Sequence, residues 1–248
     1  MNDTACLLIH GFAGTPFEMR PLADTLEAAG ARVSTPALPG HAASVERWAA
    51  TRWADWQGCV EDEYLRLAAD HERVFALGLS MGGSLCLDLA RRHRLAGVVT
   101  VASPVYLYRF LPPSSSDWRI PFTGLLRRLR PIWPTTPGRP ESRAIAPWRG
   151  YEGVVALEPL YSLIHGLREL RCNLGQITAP LLAMHAPGDK QVPAGNLWEI
   201  VRGVRSPLRR AVLLEIEERV TSHHMLTTHR EAGPVVNRLC ARFVSAGG

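Results

Sequence analysis

The stretch Val74-Phe75-Ala76-Leu77-Gly78-Leu79-Ser80-Met81-Gly82-Gly83 limits this chain more than any other. It reads as a short apolar strand that turns sharply into a helix running from Ser84 to Arg92. Gly78 and Gly82 flank Ser80 in the pattern G-x-S-x-G. A serine on such a turn projects its hydroxyl above the sheet, and positions two before and two after it are too crowded for a side chain. Ser80 is therefore a candidate nucleophile. A five-residue pattern also arises by chance, and the flanking strand and helix give this one its weight.

The rest of the chain alternates strands and helices around that turn. Ala5–Ile9, Ala31–Ser34, Leu95–Val101, Leu181–Met184 and Arg210–Ile216 read as further strands, which makes six. Helices are expected from Thr15 to Ala29, Trp53 to Ala69, Met81 to His93, Ala194 to Arg202 and Thr228 to Val244. Thr15, Pro16 and Glu18 have the spacing of a capping box with proline at the first helical position. Such alternation implies right-handed crossovers and a mostly parallel sheet of about six strands, with helices on both faces. The pattern breaks between 104 and 176. Nine prolines, the run Ser114-Ser115-Ser116 and eight arginines fall between Ser103 and Arg149. Phe122–Arg130 reads there as a short basic amphipathic helix, and Val154–Leu174 as one or two helices. This segment lies between two core strands. The expected organisation is an α/β core formed by 1–103 and 177–248, with an inserted cap or lid at 104–176.

A serine hydroxyl needs a base to accept its proton and a third group to orient that base. On a strand–serine–helix turn the partners follow in chain order, acid and then histidine, each in a loop after a strand. Asp189 lies in the turn Pro187-Gly188-Asp189-Lys190 after the Leu181 strand. An aspartate after glycine is also an ordinary turn residue. Glu217 and Glu218 are alternative carboxylates but follow the last strand directly. His223 and His224, in Thr221-Ser222-His223-His224-Met225, are both candidate bases. His41 and His185 sit near strand ends as supporting residues, and most of the other histidines read as structural. The oxyanion of a tetrahedral intermediate needs two backbone N–H donors. Met81, just after the serine, supplies one, and Phe12, in the loop His10-Gly11-Phe12 after the first strand, supplies the other. The His10 side chain reads as a structural hydrogen-bonder.

Taken together, His10-Gly11-Phe12-Ala13-Gly14-Thr15-Pro16, Gly40-His41, Gly78-Leu79-Ser80-Met81-Gly82-Gly83, Gly188-Asp189 with Val192-Pro193, and Ser222-x-His224 resemble an α/β-hydrolase. Within that superfamily the chain is similar to small bacterial carboxylesterases and monoacylglycerol lipases. The resemblance covers about 1–104 and 177–246 and thins out in the cap. It implies a serine ester hydrolase acting on short- to medium-chain acyl esters, with a triad of Ser80, Asp189 and His224. It implies an oxyanion hole at the Phe12 and Met81 amides and no metal or cofactor. A thioesterase, an amide or C–C bond hydrolase, or a non-catalytic ligand-binding relative are the competing readings on the same fold.

Composition narrows the partners. The formal charge is +5, and the eight arginines between Pro104 and Arg149 face only Asp117 and Glu141. A basic cap of this kind attracts anionic substrates or makes weak lipid-surface contact; the bland alternative is a solvated arginine-rich loop. No aromatic-interleaved basic motif accompanies the arginines, and nucleic acid is not expected. Five scattered cysteines lack C-x-x-C spacing, which argues against a disulfide framework or a zinc site. No apolar run approaches the ~18 residues of a membrane-spanning helix. A cytoplasmic monomer or dimer with no targeting segment is the expectation.

Overall fold

The computed structural model describes residues 3–111, 113–115 and 117–247. Ser116 of the serine run lies outside them. Six parallel strands form the central sheet: β1 (Thr4–Ile9), β2 (Arg32–Ser34), β3 (Arg73–Leu79), β4 (Gly97–Val101), then β9 (Leu181–His185) and β10 (Arg209–Leu213). Their spatial order is β10-β9-β4-β3-β1-β2. The chain starts in the interior of the sheet, steps outward once to β2, crosses back to β3 beside β1, and then advances to the far edge. All five pairings are parallel, so each connection must cross over the sheet. This is the mostly parallel six-stranded sheet that the alternation predicts, and it fits the α/β-hydrolase fold that the resemblance implies.

Alternate residues of the buried strands feed two separate cores. Ala5, Leu7 and Ile9 of β1 face one side with Val74 and Ala76 of β3. There they meet α3 (Trp53–Asp70) and α4 (Met81–Arg92). Cys6, Leu8, Phe75 and Leu77 face the other side, against α1 (Arg20–Ala28) and α9 (Gly233–Ser245). Helix α3 buries Trp53, Trp56, Val60, Tyr64 and Leu67, a stripe at three- and four-residue spacing. In α4, every residue from Met81 to Ala90 is buried, because α7 (Leu157–Cys172) covers what the sheet and α3 leave open. Helix α8 (Gly195–Gly203) completes that face with Leu197 and Ile200.

The 104–176 segment has its own small elements. Strands β5 (Tyr108–Phe110) and β6 (Pro113–Ser115) form one antiparallel pair, β7 (Ile132–Pro134) and β8 (Val154–Ala156) another. Helices α5 (Thr123–Leu129) and α6 (Pro140–Ile145) lie between β6 and β8, and the five-residue α2 (Val45–Ala49) precedes α3. Leu163, Leu167 and Leu170 of α7 join the core cluster. A Cβ on Gly166 would fall 2.4 Å from the Trp53 ring, so α7 sits against α3 at close range.

Three local expectations change. Thr15 and Glu18 form no capping box; Pro16–Met19 is a 3-10 turn without a side-chain cap. The Glu18 carboxylate turns inward instead, toward donors nearer the site. The last helix begins at Gly233 rather than Thr228. His229 Nδ1 accepts the N–H groups of Glu231 and Ala232, which holds the preceding residues in a loop until Pro234 opens the helix. The last strand ends at Leu213, three residues short of Ile216.

Candidate active site

The C-terminal ends of β1, β3, β9 and β10 lead to the four loops that hold the candidate residues. Ser80 follows β3 directly with φ +54 and ψ −126, a conformation a serine adopts only under constraint. The constraint is steric. A Cβ on Gly78 would lie 2.2 Å from the Gly82 carbonyl carbon, and one on Gly82 would lie 2.1 Å from Ile9 O. The Ser80 N–H donates to Val101 O at 2.8 Å and anchors the turn to β4. Met81 then opens α4 at the positive end of the helix.

Asp189 follows β9. Its Oδ1 accepts the N–H groups of Gln191 (2.8 Å) and Val192 (3.0 Å), which fixes the turn and the carboxylate plane. Its Oδ2 lies 2.8 Å from His224 Nδ1 and 3.2 Å from His185 Nε2. Burial by itself would raise the Asp189 carboxyl. The His224 charge and the hydrogen bonds from His185, His224 and the Val192 N–H outweigh it and hold the group well below the usual carboxylate range. Burial would also lower His224, but the neighbouring Asp189, helped by Glu18, raises it above the ordinary histidine value.

The adjacent imidazoles part company. His224 turns inward to Asp189 and is buried. His223, with φ +56, turns to Glu218: its Nε2 lies 2.6 Å from Glu218 O and 3.3 Å from Glu218 Oε1. Glu218, weighed from sequence as a partner carboxylate, instead accepts from the N–H groups of Val220 and Thr221 and faces His229 at 3.1 Å. Its partial burial opposes ionisation, yet these donors hold its carboxyl down at about 2. Glu217 turns its N–H to Glu231. Neither glutamate meets His224.

His10 and His41 are neutral structural groups. Burial, reinforced for His10 by the neighbouring His41 charge, pushes His10 down to about 3; burial pushes His41 down to about 4. His10 Nε2 accepts the Leu38 N–H, so its Nδ1 carries the proton and donates to Gly11 O at 2.9 Å. Among the described residues, the Phe12 and Met81 N–H groups donate to no protein acceptor. Ser80, Met81, Phe12 and His224 all line one pocket of about 590 Å³. His224 makes its side-chain hydrogen bond to Asp189, and none to Ser80 Oγ. Phe12, Trp48, Leu107, Leu160, Leu163 and Met225 give the pocket an apolar lining, and Asp117, Arg119 and Arg143 give it a polar side.

Glu18 is the site residue that sequence reasoning missed. It is 1% exposed, and its carboxylate accepts the Gly11 N–H at 2.7 Å and the Trp148 indole N–H at 2.5 Å. Burial pushes its carboxyl up to about 7, against the pull of those two donors and of His224. Its position one turn after the His10-Gly11-Phe12 loop is the available signal. A capping-box spacing accounted for it too readily.

A family model described as serine aminopeptidase, S33, matches residues 2–216. The chain belongs to that family. It is 30% identical over 243 residues to the thermostable monoacylglycerol lipase of Bacillus sp. (strain H-257), covering 98% of this chain and 91% of that one. A solved structure of the metagenome-derived lipolytic enzymes LipS and LipT matches with a TM-score of 0.84 at 23% identity, covering 98% of this chain and 94% of the other. A soluble variant of the monoglyceride lipase of Saccharomyces cerevisiae, solved with a substrate analogue, matches at 0.80 and 16% identity, covering 99% and 87%. At those identities the two structures speak for the fold. The family match and the bacterial relative support the serine-hydrolase reading of the pocket.

Proposed function

We propose that this family member is a serine ester hydrolase of carboxylesterase or monoacylglycerol lipase type. Ser80 is the nucleophile, His224 the base, and Asp189 the group that orients His224. The observation that carries the assignment is the 2.8 Å contact between Asp189 Oδ2 and His224 Nδ1 beside the strained Ser80 turn. His224 Nε2 takes the Ser80 proton as Oγ attacks the ester carbonyl. The Phe12 and Met81 amides receive the oxyanion. His224 then protonates the leaving alcohol, and water releases the acid by the same steps. A charged Asp189 favours imidazolium and holds the proton on Nδ1, leaving Nε2 free for Ser80.

The pocket of about 590 Å³ lies within the range of small-molecule sites and suits a short- to medium-chain acyl group on its apolar wall. The 104–176 segment is proposed as the cap over it, with α7 doubling as core packing. Fluorophosphonate labelling tests the assignment: Ser80 should be the modified residue, and a folded protein left unlabelled there sinks it. A p-nitrophenyl ester series from acetate to laurate then separates esterase from lipase behaviour, and thioester analogues, with a thiol in place of the alcohol as leaving group, test the thioesterase alternative.

Lipid-surface contact belongs to the proposal too. Trp118 (75% exposed), Phe122, Leu125 and Leu129 (73%) are exposed at three- and four-residue spacing along α5 and its approach. Arg128 and Arg130 flank them, also exposed. That combination suits an anionic interface. Among the described residues, no helix is long and apolar enough to cross a membrane. The described cysteines are unpaired, which fits the proposed cytoplasmic location.

A further inference from the structure

We propose that Glu18 is a positioning residue that aims the Phe12 amide at the oxyanion by joining the Gly11 loop to the Trp148 segment. The inference rests on the ester-hydrolase reading and deepens it.

Gly11 is pinned on both sides. Its N–H donates to Glu18 Oε2 at 2.7 Å. Its carbonyl accepts from His10 Nδ1 at 2.9 Å and from the Gly14 N–H at 3.2 Å. The Gly11 carbonyl and the Phe12 N–H belong to one planar trans peptide, so fixing the carbonyl aims the N–H the opposite way. Space is tight as well. A Cβ on Gly11 would sit 3.3 Å from both Glu18 Oε2 and Ser80 Cβ, so Gly11 separates the carboxylate from the nucleophile with nothing to spare. A Cβ on Gly14 would strike Glu18 Oε1 at 1.8 Å.

The second oxygen reaches out of the core. Glu18 Oε1 accepts the Trp148 indole N–H at 2.5 Å. The residues after Trp148 then follow the same loop. Thr15 Oγ1 donates to Arg149 O at 3.2 Å, and the Arg149 guanidinium lies 4.4 Å over the Phe17 ring. The Tyr151 N–H donates to Ala13 O at 2.9 Å, on a residue held at φ +62. A Cβ on Gly150 would fall 2.1 Å from Ala13 O. The 148–151 segment therefore works as a strap across the oxyanion loop, and Glu18 is where strap and loop share one buried group. A carboxylate suits this place because both neighbours are donors. A glutamine offers one oxygen, and its amide N–H would face the donor on Gly11 or on Trp148.

The test is a double-mutant cycle with p-nitrophenyl butyrate, using Glu18→Gln, Trp148→Phe and the pair. Glu18→Gln should lower kcat at least about tenfold with KM within about threefold, since the misaimed amide acts on the transition state. Trp148→Phe should lower kcat by about threefold to tenfold on the same ground. In the pair, removing the indole N–H frees the glutamine amide from a donor–donor clash, so the losses should not multiply. Unchanged kcat in both single variants, a loss confined to KM, or fully multiplicative losses each overturn the proposal. Trp148→Phe suffices if Glu18→Gln fails to fold. The Phe12 amide resonance in 15N-labelled protein gives a readout free of substrate: it should shift in both variants, and an unmoved resonance overturns the proposal. A wild type without ester activity but with that shift would fault the ester-hydrolase reading and leave the positioning role standing.

Discussion

His223 and His224 are neighbours in sequence, yet the backbone sends them to different carboxylates. At φ +56 the His223 main chain reverses its side-chain direction, and only His224 reaches Asp189. His224→Ala should therefore cost about 10⁴-fold or more in kcat on a p-nitrophenyl ester. His223→Gly should stay within about tenfold, because glycine accepts the left-handed backbone at no cost. The pH profile follows from the raised His224. A base must be neutral to take the serine proton, so kcat/KM falls as pH drops through a value above the ordinary histidine one. In Asp189→Asn the charge that raises His224 is gone. The acid limb should move to lower pH while kcat drops by about 10⁴-fold, measured across a pH series. An unmoved limb would assign it to another group.

At the scale of elements, the β3–α4 turn carries Ser80, and helix α7 packs in the core while Leu160 and Leu163 line the pocket. Gly82→Ala places a methyl group 2.1 Å from Ile9 O on the neighbouring strand, where only backbone can give way. Its cost should be about 3 kcal/mol or more, read as a drop in urea midpoint. Helix α7 arises from the segment expected to be a cap, yet Leu167 is 1% exposed and packs in the main core. Leu167→Ala should cost about 2–5 kcal/mol, the figure for a buried leucine rather than for a lid. A loss under about 1 kcal/mol would place α7 outside the cooperative core. The glycine pair was legible in the sequence because its constraint is local: two residues either side of a serine. The packing of α7 was not, because a sixteen-residue amphipathic helix carries the same pattern whether it faces a core or a partner lobe.

For the whole molecule, the arginine-rich segment looks different once folded. Its local excess of charge is partly met from outside: Arg127 pairs with Glu158 and Arg109 with Glu199, while Arg143 pairs with Glu152. The apolar face of α5 and its approach stays exposed, with Arg128 and Arg130 beside it. Co-sedimentation should show binding to vesicles of anionic lipid above that to neutral ones. Leu125→Glu should abolish it without changing kcat on a soluble ester, because that residue is 62% exposed. Equal binding to both vesicle types would end the electrostatic part of the proposal.

The sequence by itself determined the alternation of strands and helices, the Gly78–Gly82 turn, and the chain order of the candidates: Ser80, then an acid in a turn, then the pair His223 and His224. Each is written locally: short continuous apolar runs for the buried strands, glycines two residues from a serine, and an acid in a turn after a strand. The tertiary structure alone decided which imidazole meets Asp189, and that His185 shares the same carboxylate oxygen. It also decided that Glu18 leaves its expected helix cap for the Gly11 and Trp148 donors, the latter 130 residues away. Local spacing cannot rank a helix cap against two donors that only the folded chain brings together. Burial decides between them, because an unpaired N–H inside the protein costs more than an uncapped turn at the surface.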